Sequence, residues 1–209
     1  TFVQECQTAW GQTIAGWSGA SPECTTATGL TCDASGFILS LLLRNYKLSG
    51  QIPNSVSNLK KITYLDLSIN QLPGSIPATV TALSLLKYLW LFNNMLTGPI
   101  PTDIGSMTSL VSLSIYTNML SGSVPASISK LTGLMYLSVA GNQLTGPIPA
   151  DVGLLTRLTA MDFSNNQLSG SIPASVSALT QATLLYLQSN QLSGSIPAEI
   201  GFMTKLSTL

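Results

Sequence analysis

Few residues in this chain could carry out chemistry. No histidine occurs among its 209 residues, which excludes serine–histidine and cysteine–histidine nucleophile systems and histidine-held metals. Acid–base work would fall to carboxylates. Two of these, Asp66 and Asp162, recur at equivalent places of an internal repeat, four units apart. At roughly 4.8 Å per paired strand they stand about 19 Å from each other, whereas a glycosidase pair needs roughly 5 to 9.5 Å. No phosphate-cradling loop, cysteine metal cluster or acidic calcium loop is present. The sequence therefore reads as a protein that is not an enzyme and uses no cofactor. Cys6, Cys24 and Cys32 all lie in the first 32 residues. Cys24 and Cys32 are expected to form a disulfide, which favours an oxidising compartment. Cys6 can pair outside the segment, join another chain or remain a thiol.

Binding chemistry is better supplied. Tyr64, Tyr88 and Tyr136, then Trp90 and Tyr186, then Phe92 and Tyr116 occupy the places six, four and two before a recurring Asn position. They alternate with leucines, so on a strand they project from the opposite face. Tyr64, Tyr88, Trp90, Phe92, Tyr116 and Tyr136 form the candidate ligand-binding patch, flanked by Leu42, Arg44 and Asp66. Large rings bury much area for little lost rotamer freedom. The partner expected at such a surface is a protein, a peptide or a polysaccharide. A second regular row lies three and five places after the Asn position: Ser49 and Gln51, Pro73 and Ser75, Thr97 and Pro99, Ser121 and Ser123, Thr145 and Pro147, Ser169 and Ser171, Ser193 and Ser195. This uncharged Ser/Thr ladder suits an ordered partner such as ice or a crystalline glycan, or lateral self-association.

Both surfaces depend on a repeat that positions them. Asn70, Asn94, Asn118, Asn142, Asn166 and Asn190 are spaced by 24 residues, with Tyr46 in the equivalent first place. Around each, apolar residues recur at fixed offsets, as in Leu86, Leu89, Leu91, Leu96, Ile100, Ile104 and Met107. Glycine follows four places after the Asn position and proline seven after, so every coil turns at the same points. One 24-residue coil cannot bury its apolar strip alone; stacked coils share a continuous core. The alternating trio before each Asn predicts a short strand, paired in parallel with its neighbours. The Asn amides are expected to bond backbone groups of their own and adjacent coils.

The pattern LxxLxLxxNxLxGxIPxxIxxL resembles the plant-specific class of leucine-rich repeats, seen in receptor-kinase ectodomains, polygalacturonase-inhibiting proteins and a plant antifreeze protein. The stretch with Trp17, Cys24, Gly29, Leu30 and Cys32 resembles the cysteine cap that precedes such repeats. The resemblance implies an α/β-type repeat solenoid, a right-handed leucine-rich-repeat superhelix with a parallel sheet on its concave face. It divides the chain into an N-terminal cap, 1–37, and seven repeats plus the start of an eighth, 38–209, expected to continue in a longer protein. It also implies a concave-face recognition module that is secreted or displayed at the cell surface.

Charge and hydropathy narrow the partners. Eight basic residues balance eight acidic ones, and charged residues make up only 8% of the chain, so nucleic acid and anionic membranes find no electrostatic footprint. The longest apolar runs are far shorter than the roughly 20 residues that span a bilayer, and Thr1 is not followed by a signal-like segment. Direct membrane insertion is not expected here. No N-x-Ser/Thr sequon occurs.

Overall fold

A 24-residue coil has room for two short extended segments and two reversals. The computed structural model describes residues 29–209; Cys6, Trp17 and Cys24 lie outside them, and Cys32 is disulfide-bonded. In the coil that starts at Leu86, strand Tyr88–Trp90 is followed by a turn, strand Met95–Gly98 and a 3-10 turn at Ile104–Ser106. The coils from Ile62 onward repeat this order with small changes of length, whereas the first passes from strand Ile38–Leu42 to the 3-10 turn Asn54–Asn58 with no second strand.

The strands that precede each Asn, Tyr64–Asp66, Tyr88–Trp90, Ser112–Ser114, Tyr136–Ser138, Ala160–Asp162 and Leu184–Tyr186, pair in parallel and in strict register, with Leu65, Leu89, Leu113, Leu137, Met161 and Leu185 side by side. These six are buried. Residues 24 apart are equivalent, so no register slip is possible without turning the leucines outward. Among the described residues the sheet has eight strands and is not parallel throughout. At its N-terminal edge Leu30–Cys32 pairs antiparallel with Ile38–Leu42, because the connection at 33–37 is too short for a crossover and allows only a hairpin. The Asp33 carboxylate accepts the Ser35 and Phe37 amides and, at 2.9 Å, the Lys61 ammonium. The Lys61 hydrogen bond holds the Asp33 carboxyl below its ordinary value, helped by the Phe37 amide.

The Ser/Thr ladder belongs to a second sheet. Pro73–Ser75, Met95–Gly98, Met119–Ser123, Gln143–Pro147, Gln167–Gly170 and Gln191–Leu192 form six hydrogen-bonded strands. On the remaining side the helical part of the α/β-type expectation is supplied by 3-10 turns of three to five residues, such as Ala126–Lys130 and Val152–Leu154. No α-helix occurs among the described residues. Proline fixes the entry to each turn and a core leucine or methionine follows within six residues, so little more than one helical turn fits.

Polar groups inside the coils are fully paired: among the described residues no buried side-chain nitrogen or oxygen lacks a partner. The Asn ladder does most of this. Asn142 Nδ2 donates to the Ile115, Val139 and Ala140 carbonyls, and its Oδ1 accepts the Leu120 amide at 3.0 Å. Two of those partners, Ile115 and Leu120, belong to the preceding coil. Tyr46 lacks such a side chain, and its own amide donates to Asn70 Oδ1. The residue before each Asn position is left-handed, with φ between 52° and 61° from Asn45 to Ser189. Asn and Gly suit that conformation, whereas Ile69 and Thr117 adopt it against the steric preference of a β-branched side chain.

Candidate functional site

Strand register decides which outward side chains meet. Tyr64 lies beside Tyr88, Asp66 beside Trp90, Tyr88 beside Ser112, Trp90 beside Ser114, and Ser112 beside Tyr136. Tyr88 and Trp90 on one side and Tyr136 on the other thus flank a strand, Ser112–Ser114, whose two outward side chains are small; Ser138 lies beside Ser114. The result is an open cleft of about 480 Å³. Ser112 and Ser114 form its floor, Tyr88 and Trp90 one wall and Tyr136 the other, with Val111 and Met135 at one end and Arg44, Phe92 and Tyr116 at the opposite end.

The rings are held in place by one another. Tyr64 stacks on Tyr88 at 4.8 Å between centroids, and its ring meets Trp90 edge-on at 5.0 Å. Phe92 and Tyr116 are nearly parallel stacked rings, 4.5 Å apart with 8° between planes. The Arg44 guanidinium carbon lies 5.5 Å from the Phe92 centroid, in cation–π range. Trp90 donates its indole N–H to Ser112 Oγ at 3.0 Å, which fixes the wall to the floor. A surface ordered in advance loses little further freedom on binding.

The expected residues differ in how far they reach the surface. Tyr64, Tyr88, Trp90 and Tyr116 are half-buried, and Tyr136 is the most exposed of the cluster. Phe92 is only 7% exposed: it points away from the leucine core, yet Tyr116 and Arg44 cover it, so it props the site up from beneath. Asp66 is buried, and its Oδ1 accepts both the Ser68 amide and the Ser68 hydroxyl. It is a turn-forming group and not a free carboxylate. Asp162 does the same with Ser164. Tyr186 lies two strands beyond Tyr136 and outside the cleft. Ser112, Ser114, Val111 and Met135 were not among the expected residues; the signal for them was the small Ser112 between Tyr88 and Tyr136, with Ser114 beside Trp90.

Burial pushes the Tyr64, Tyr116 and Tyr136 phenols above the ordinary value near 10. Asp66 adds to the rise at Tyr64, and Tyr136 to that at Tyr116; the Arg44 charge opposes both. All three phenols stay neutral over the physiological range. A raised native pKa contributes stability that is fully present below the unfolded-state value and is lost as pH climbs through the native one. The urea midpoint is thus expected to be flat from pH 7 to about 9 and to fall beyond about 10, with the phenols ionising late in an ultraviolet titration. Early ionisation of all tyrosines would contradict the packed cluster.

Comparison with known proteins follows from this geometry. The Leucine Rich Repeat family matches residues 85–107, 133–155, 157–179 and 182–203. The crystal structure of PEPR1–AtPEP1 superposes over 100% of this chain with a TM-score of 0.93 and 32% identity. This chain belongs to the plant-type leucine-rich-repeat proteins. The plant peptide hormone receptor RGFR1 in complex with RGF2 matches 78% of the chain at a TM-score of 0.77 and 33% identity. The chain spans 30% and 26% of the lengths of those two structures. A plant ice-binding protein matches over 100% of this leucine-rich-repeat chain and 70% of its own length, with a TM-score of 0.83 and 28% identity. Among the described residues no helix is long and apolar enough to cross a membrane, and no cluster of metal-ligating side chains occurs.

Proposed function

We propose that this leucine-rich-repeat chain is an extracellular recognition module that binds a peptide in the cleft above Ser112 and Ser114. The carrying observation is the cleft itself: one repeat wide, walled by Trp90 and Tyr136, floored by Ser112 and Ser114, and with Arg44 as its one charged lining residue. Its walls need no rearrangement to receive a side chain. The similarity to a plant peptide hormone receptor supports a peptide as the occupant, and the disulfide at Cys32 supports an oxidising compartment.

Selection of a messenger-RNA-displayed library of random dodecapeptides on the immobilised chain tests this, with the Ser114→Trp variant as the comparison. Ser114 lies on the cleft floor and points away from the core, so a tryptophan there fills the cleft and leaves the solenoid folded. Selected peptides are expected to bind that variant about tenfold or more weakly, while Trp90→Ala, which removes a wall, costs a similar factor. Recovery of peptides that bind wild type and Ser114→Trp equally would refute the cleft as the site.

A second reading rests on the other sheet. Thr97, Thr145 and Ser123 are exposed on strands repeated at a fixed spacing, with Ser171 and Ser195 exposed just beyond the ends of equivalent strands, and the structural match to a plant ice-binding protein favours ice as their partner. Ice-recrystallisation inhibition that is abolished by Ser123→Lys with Ser171→Lys would support it; activity that survives the pair would eliminate it.

A further inference from the structure

Arg44 is the one charged residue lining the cleft. Among the described residues it forms no ion pair; the one salt bridge there joins Lys61 to Asp33. The nearest acidic candidate in the patch, Asp66, has its carboxylate turned to the amide and hydroxyl of Ser68. Arg44 is exposed, with its guanidinium carbon 5.5 Å from the Phe92 centroid and Phe92 in turn stacked on Tyr116. A ring contact consumes none of the guanidinium N–H donors, which an exposed side chain can offer to a ligand. Such a planar fork is matched by a planar two-oxygen acceptor.

The remainder of the cleft offers few directed hydrogen bonds. The Trp90 indole N–H is already spent on Ser112, and Val111, Met135 and the ring faces of Tyr88 and Tyr136 are apolar. A ligand therefore gains from burying a large apolar or aromatic side chain over the serines, and gains direction from one anionic group at the Phe92 end. Both subsites line the same cleft, so a single short segment can reach them together.

We infer that the cleft selects peptides carrying a carboxylate within a few residues of a large apolar or aromatic side chain, the carboxylate resting on the Arg44 fork and the apolar side chain over Ser112 and Ser114. The inference rests on the peptide-binding reading and adds to it the chemistry and the polarity of the ligand. It accounts for an otherwise neutral recognition surface with a single unpaired cation.

The dodecapeptide selection is repeated on wild type, Arg44→Gln and Ser114→Trp, and the pools are sequenced. Wild type is expected to enrich Asp or Glu within three positions of Trp, Tyr, Phe, Leu or Met. Arg44→Gln should keep the apolar preference and lose the acidic one, with individual acidic peptides binding it about tenfold more weakly. Ser114→Trp should lose both preferences. Selected peptides resynthesised with free and amidated C-termini identify the carboxylate: loss on amidation assigns it to the chain end, and survival assigns it to an acidic side chain. Apolar peptides without acidic bias on wild type, or the same bias on Arg44→Gln, overturn the inference while leaving peptide binding in place. Failure to enrich any peptide overturns the peptide-binding reading and this inference with it.

Discussion

Asn142→Ala is expected to destabilise the solenoid by about 3 kcal/mol or more, with little change in its surface. The estimate follows from what the side chain satisfies. Asn142 Nδ2 serves the Ile115, Val139 and Ala140 carbonyls and Oδ1 serves the Leu120 amide, all in a coil interior where Asn142 is 9% exposed. Alanine removes every one of these bonds at once and offers no space for a full set of replacement waters. Each buried backbone group left unpaired costs about 1–3 kcal/mol, and several are orphaned together. Because Ile115 and Leu120 belong to the preceding coil, the damage falls on an interface between coils, which is where a solenoid's cooperativity resides. Urea denaturation of the variant checks this: a lower midpoint is expected, together with a smaller m-value if the array splits into separately unfolding halves. A loss below about 1 kcal/mol would mean that water or a relaxed turn replaces the amide, and that the ladder is less essential than its geometry suggests.

That ladder was legible in the sequence because core demands produce strict periodicity: leucines facing inward, and an amide wherever backbone groups of two coils must be joined. The cleft was only half legible. Alternation correctly turned Tyr88, Trp90, Tyr116 and Tyr136 outward, yet a recognition surface is shaped as much by gaps as by bulk, and Ser112 and Ser114 carry no positive signal of their own. Asp66 was misplaced for a physical reason. Strand alternation says which face a side chain leaves from, not whether it bends back, and a serine two residues later offers an amide and a hydroxyl to bend toward. The same spacing at Asp162 and Ser164 was the available clue. Phe92 illustrates the converse: a ring can leave the outer face and still be buried, because Tyr116 and Arg44 lie over it. The left-handed residue before each Asn was not read from the sequence, because Ile69 and Thr117 share that place with Asn93, Gly141 and Asn165.

A glycine at every second coil carries the other large effect, and it comes with an internal control. Gly105, Gly153 and Gly201 are spaced by 48 residues and each sits on or beside a 3-10 turn. A Cβ on Gly105 would lie 2.1 Å from the Ser127 carbonyl oxygen of the next coil, and a Cβ on Gly153 at the same distance from that of Ser175. Both obstacles are backbone, held by their own coil, and Ser127 and Ser175 hydroxyls tie back to the Thr102 and Ala150 carbonyls. The neighbours cannot yield without separating two coils. At Gly133 a Cβ would meet the Leu110 carbonyl oxygen at 3.4 Å, an ordinary contact. Gly105→Ala is therefore expected to cost about 3 kcal/mol or more, in the range of strongly overpacked core substitutions. Gly133→Ala is expected to be neutral or to stabilise by about 0.5 kcal/mol, through reduced freedom of the unfolded chain. Reduced freedom of the unfolded chain alone predicts a small gain at both places, so the two explanations separate cleanly in parallel denaturation curves. Equal effects at Gly105 and Gly133 would show that close coil-to-coil approach is not what the glycine supplies. Large losses at Gly105 and Gly153, with none at Gly133, would identify two coils interlocked through a glycine as the step by which this solenoid is built.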